Sequence, residues 1–129
     1  MNKFIIFLIA FITACSVSHS SYYNIEITGD ASPDRKFEIA KEVAEKVWSG
    51  KLKTLIQEEI PELKGQDISK MLGIRWKKTV FNSFTDDEKE KTVVYVQCLF
   101  KSNSSDISNK ALEICKKEVE AVLANYIKQ

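Results

Sequence analysis

The segment Thr92 to Lys101 constrains this chain more than any other, because it is rich in β-branched and aromatic residues and apolar on both alternating faces. Val94, Val96, Cys98 and Phe100 fall on one side, and Val93, Tyr95 and Leu99 on the other. A strand of this kind belongs in the middle of a sheet or under cover on both sides. Before it, Ile74 to Phe84 alternates Ile74, Trp76, Val80 and Phe84 on one face with Arg75, Lys77, Thr79 and Phe81 on the other, while Lys78 and Asn82 interrupt the first face. The run between them, Thr85 to Lys91, is charged and without apolar residues, so the pair reads as a hairpin with a long polar loop.

The other elements follow from periodicity and end signals. Tyr23, Ile25 and Ile27 alternate with Asn24 and Glu26, which predicts a half-buried strand from Tyr22 to Thr28, ended by Gly29 and Asp30. Ser32 before Pro33 supplies a cap and a first-turn proline, and Asp34 suits the positive end of a helix dipole. Phe37, Ala40, Ala44, Val47 and Trp48 recur at helical spacing, predicting a helix over 33–49. Gly50 ends or bends it. A second stripe of Leu52, Leu55, Ile56 and Ile60 runs on until Pro61 forbids extension, as one kinked helix or two. The stretch 62–73 reads as a loop with a helical turn near 67–72. Ile107, Ala111, Ile114, Cys115, Val119, Val122 and Tyr126 mark a C-terminal amphipathic helix.

The expected fold is therefore α+β, a single small domain over 22–129 in the order β-α-(α)-β-β-α. Its helices should pack on a three-stranded antiparallel or mixed sheet.

The N-terminus carries a different message. Lys3 precedes an unbroken apolar run from Phe4 to Ile12, which has the order of a secretory signal. About nine residues make a helix of about 14 Å at 1.5 Å each, too short for a bilayer core of about 30 Å. The residues that follow, Ile12-Thr13-Ala14-Cys15, resemble the lipobox of bacterial lipoproteins. The resemblance covers the first fifteen residues. It implies removal of 1–14 by the lipoprotein signal peptidase, a diacylglyceryl thioether on Cys15 and an acylated α-amine. Several acyl chains on one residue meet the two-signal requirement for stable anchoring. Ordinary cleavage near Ser18 or Ser20 is the alternative. Within that family the non-acidic Ser16 goes with outer-membrane sorting, which places the chain at the periplasmic face of the cell envelope. Residues 15–21 then form the acylated cysteine and a short tether, and the membrane is a partner through the lipid alone.

Cys98 and Cys115 remain as an even pair in an oxidising compartment, so a disulfide is expected, with free buried thiols or a metal site as alternatives. Both lie on the inward stripes of their elements. Cys98 sits about 10 Å back from its strand end and Cys115 about 13 Å into its helix, so a helix folded back over the sheet brings them to similar heights.

Composition removes several function classes. Without 1–14 the chain has 18 basic and 18 acidic side chains, which gives no electrostatic case for nucleic acid. The sole histidine, His19, lies in the tether, which excludes a nucleophile–histidine pair and makes a structural zinc site the weaker alternative for the two cysteines. The four glycines are too scattered for a phosphate loop. Asp86, Asp87, Glu88 and Glu90 alternate with Lys89 and Lys91 in the hairpin loop and read as a solvated run. Neither a catalytic residue, a metal nor a cofactor is expected. Arg75-Trp76-Lys77-Lys78 reads as a strand with one buried and one wet face, and Asn103-Ser104-Ser105 as a chance sequon.

One anomaly remains. If both long helices pack on one side of the sheet, Phe81, Val93, Tyr95 and Leu99 cluster on the other, and either 51–60 covers them or they form an exposed apolar patch of the kind that marks a binding site. The expectation is a non-enzymatic, membrane-tethered module that binds a protein partner, as an assembly or secretion accessory or an immunity-type inhibitor. A carrier of a small apolar ligand is the alternative.

Overall fold

Lys91–Ser102 (β3) is the central strand of a three-stranded antiparallel sheet, as its two apolar faces require. In the computed structural model, which describes residues 19–81 and 91–127, the chain runs His19–Glu26 (β1), Pro33–Ser49 (α1), Leu52–Glu59 (α2), two 3-10 turns at Pro61–Leu63 and Ile68–Lys70, Leu72–Phe81 (β2), β3, and Ser105–Ile127 (α3). The sheet order is β1-β3-β2. Both edge strands pair antiparallel with β3, so α1 and α2 carry the chain across the sheet from one edge to the other. The α+β order and the helices on a small sheet stand as expected, and the sheet is wholly antiparallel.

Local chemistry sets the helix ends. The Ser32 hydroxyl accepts from the Arg35 amide at 3.2 Å, Pro33 fills the first turn, and Lys46 lies in the last turn of α1. The helix stops where Gly50 turns its backbone to φ −86°, ψ −146°, and a Cβ there would sit 3.0 Å from the Lys46 carbonyl oxygen. Two helices result rather than one kinked helix. At the other junction the Ser104 hydroxyl accepts from the Ile107 amide at 3.4 Å and caps α3. Ser102 Oγ donates to the Ser104 carbonyl at 2.6 Å and lies 2.7 Å from the buried Ser108 Oγ, which fixes the turn from sheet to helix.

The core lies between the sheet and the helices. From β3 come Val94, Val96, Cys98 and Phe100; from α1 Ile39, Ala40, Val43, Ala44 and Val47; from α3 Ala111, Leu112, Cys115, Val119 and Leu123. The α1 stripe thus centres on Val43, between the positions that helical spacing marked. Leu52 and Ile56 of α2, with Ile60 and Leu63 after it, close the end of this core. Each valine, leucine, isoleucine or phenylalanine among them contributes about 1.5–3 kcal/mol on burial. Cys98 and Cys115 are joined by a disulfide across this interior, with Cα atoms 6.3 Å apart.

Two boundaries move. β1 begins at His19, so Ser20 and Ser21, assigned to the tether by composition, pair with Lys101 and Phe100. Backbone hydrogen bonding to a central strand needs no apolar side chain, which is why composition missed it. β2 runs from Leu72, two residues before the alternation predicts, and ends at Phe81. The expected strand residues Asn82 and Phe84 and the charged hairpin loop up to Glu90 lie outside the described residues, as do the lipobox and Cys15, while Lys91, expected in the loop, opens β3.

Candidate partner-binding face of the sheet

Strand parity and register place a defined grid on the side of the sheet away from α1 and α3. Tyr22, Leu99 and Gly73 form one row across β1, β3 and β2; Asn24, Gln97 and Arg75 the next; Glu26, Tyr95 and Lys77 the third. Val93 then pairs with Thr79, and Lys91 with Phe81. Phe81, Val93, Tyr95 and Leu99 therefore share one face. Phe81 sits at the far corner, diagonal to Val93.

No described helix covers this grid. The segment 51–60, which would have made the face part of the core, packs instead against α3 on the helical side. Its apolar positions Leu52 and Ile56 are buried there. Val93, Tyr95 and Leu99 are only partly buried, sheltered by the flanking strands, and Phe81 is 55% exposed. Leu99 stays open because its cross-strand neighbour is Gly73, where an added Cβ would touch the Leu99 Cβ at 3.7 Å.

Two features of the face were missed by sequence reasoning. Tyr22, 65% exposed, joins it beside Leu99. Its parity against Tyr23 and Ile25 was legible, but its neighbour was not. The second is Gln97, buried at 6% exposure between Tyr95 and Leu99, whose Nε2 donates to Asn24 Oδ1 at 2.9 Å. This bond satisfies a polar group that would otherwise be costly, and it divides the apolar stripe into two halves.

Arg75 and Lys77 lie on this face as alternation requires, and Trp76 turns to the helical side. Lys78, which interrupts the inner face, is accommodated at its margin, with Nζ 3.9 Å from Asp34 and 5.6 Å above the Phe37 ring. On that same side the chain's only two tryptophans, Trp48 of α1 and Trp76 of β2, line an open groove of about 540 Å³ with Ala44, Glu45, Ser49 and Ile74. Asn103 and Ser104 of the sequon form the turn into α3, and Ser105 is the first residue of that helix.

Shifted titrations lie away from the face. The Tyr23 hydroxyl beside Lys116 raises the Lys116 ammonium above its ordinary value, and the Ser69 hydroxyl lowers the Asp67 carboxyl. Among the described residues no group of three or more His, Cys, Asp or Glu side chains is placed to hold a metal ion, and no helix is long and apolar enough to cross a membrane. No family model, curated protein or solved structure matches this chain.

Proposed function

We propose that this chain is a lipid-anchored protein of the bacterial cell envelope that binds a protein partner through the open face of its sheet, without catalysis. The observation that carries this reading is the face itself: Tyr22, Phe81, Val93, Tyr95 and Leu99 gathered on one side of three strands, with no described element over them. A tyrosine such as Tyr95, in the middle of such a patch, is among the side chains that dominate binding energies. The lipobox-like Ile12-Thr13-Ala14-Cys15 supplies the anchor, and Cys15 its acylated residue. Since β1 begins at His19, only Ser16, Val17 and Ser18 separate it from Cys15, a span of at most about 14 Å fully extended. The sheet is thereby held against the membrane surface, where an assembly or secretion accessory, or an immunity-type inhibitor at the periplasmic face of the outer membrane, meets its partner.

A photo-crosslinking residue in place of Thr79 tests the face in cells, with the same residue in place of the exposed Lys41 of α1 as control. A discrete protein adduct at 79, absent at 41 and lost with Tyr95→Ala, is expected. Equal adducts at both positions, or none at 79, would remove the face as the binding site.

A second reading, carriage of a small apolar ligand, draws on the groove between Trp48 and Trp76. A lipid or aromatic molecule that co-purifies and leaves with Trp76→Ala, seen by native mass spectrometry, would favour it.

A further inference from the structure

Charge on the open face is one-sided. Arg75 and Lys77 stand along its β2 side, Lys91 and Lys101 at the two ends of β3, and among the described residues Glu26 is the only carboxylate within the grid. Three of these four cations are exposed and Lys77 is partly so, and among the described residues none makes a salt bridge or a ring contact. The formal net charge of the whole chain is only +1, so this excess of cations is local to the described part of the face. The cations frame the apolar stripe.

The size of the stripe makes that frame necessary. From Val93 to Leu99 the strand rises about 20 Å, and three strands span about 10 Å between their axes, so the stripe covers roughly 200 Å² in projection. A specific interface takes about 800 Å² per partner. The apolar stripe can only be the centre of such a contact, and among the described residues its rim is mainly cationic. A second copy of this chain laid face to face would bring like charges together, which costs rather than stabilises.

Resting on the reading of this face as a protein-binding surface, we infer that its occupant is an acidic amphipathic helix of the partner: an apolar stripe on Tyr95, Leu99 and Phe81, flanked by carboxylates that reach Arg75, Lys77, Lys91 and Lys101. A helix is the element that completes a sheet left open on one side. One of about 14 residues matches the 20 Å of the stripe, and its flanks can present glutamates beside a row of leucines.

The test uses the lipidated full chain in neutral detergent and two fluorescein-labelled helical peptides. Both carry one leucine stripe, flanked by glutamates in one and by lysines in the other. Fluorescence anisotropy should show the glutamate peptide binding at least about tenfold tighter, with affinity falling as salt rises. Arg75→Glu with Lys77→Glu should reverse the preference. Equal binding of both peptides that is lost with Tyr95→Ala would keep the face as a protein site and defeat the acidic helix. Binding of neither peptide, or binding that survives Tyr95→Ala and Phe81→Ala, would defeat both. A dye on Thr79→Cys reports the remaining occupant. If its emission shifts to the blue when the protein is reconstituted with phosphatidylglycerol rather than phosphatidylcholine alone, the face lies on anionic lipid and the helix proposal is overturned; unchanged emission supports it.

Discussion

Cys98 in the central strand and Cys115 in the last helix are bonded to each other across the core, both completely buried and 17 positions apart in the chain. The bridge ties α3 to the strand that organises the whole sheet. Because α3 also packs on β1, one covalent link holds three elements in register.

Removing that link should cost about 3 kcal/mol, the loop-closure entropy returned to the unfolded chain. For a domain near 100 residues this lowers the melting temperature by more than about 10 °C. A thermal melt of Cys98→Ala with Cys115→Ala, against the parent, measures it. Alkylation under denaturing, non-reducing conditions should label neither cysteine in the parent. A melt unchanged by reduction would show that packing alone holds α3.

The two faces of the sheet should respond differently to truncation. Phe100→Ala empties a completely buried position and should cost about 3–5 kcal/mol. Phe81→Ala removes a side chain that is mostly in water and should stay within about 0.5 kcal/mol. Tyr95→Ala and Leu99→Ala, partly buried, should fall between them in denaturant melts while reducing partner affinity. A loss at Leu99 as large as at Phe100 would mean that something covers the open face.

Gln97 and Asn24 form the polar divider of that face, and the pair should be coupled. Asn24→Ala leaves the buried Gln97 amide without its acceptor, at a cost of about 1–3 kcal/mol. Gln97→Leu with Asn24→Ala should recover most of this. A double-mutant cycle with no interaction energy would show that the 2.9 Å contact contributes nothing.

Lipidation predicts that Cys15→Ser abolishes membrane retention of the processed chain or leaves an unprocessed precursor. Fractionation and intact mass of the mature N-terminus distinguish these. An unmodified N-terminus near residue 19 or 21, with membrane retention unchanged, would exclude the anchor.

Acid should reach Asp67 late. Its Oδ1 accepts from the Ser69 amide at 3.1 Å and from the Ser69 hydroxyl, which hold the carboxyl below its ordinary value of 3.8. A lowered folded-state value means that the stabilisation is present above the unfolded value and lost as pH falls through the folded one. Carboxyl-detected NMR should therefore place the midpoint below 3.8, and Ser69→Ala should raise it. A midpoint at or above the ordinary value would contradict the hydrogen bonds.

What the residues determined by themselves was whatever depends on local period and local chemistry. The two-sided apolar run of β3 demanded a central position. Ser32, Pro33 and the spacing up to Trp48 set both ends of α1, and the inward parity of Cys98 and Cys115 placed their sulfurs on facing surfaces. Each follows from alternation, helical spacing or capping, which act over a few residues. Only the tertiary structure decided what depends on distant partners. It put α2 against α3 rather than beneath the sheet, with Leu52 and Ile56 buried at the end of the core. It paired Ser20 and Ser21 into β1 through backbone groups alone. It also set Tyr22 beside Leu99, Gly73 beyond it, and Gln97 against Asn24, since register across three strands is a relation between separate segments, 73 positions apart for Asn24 and Gln97, and no periodicity within either one encodes it.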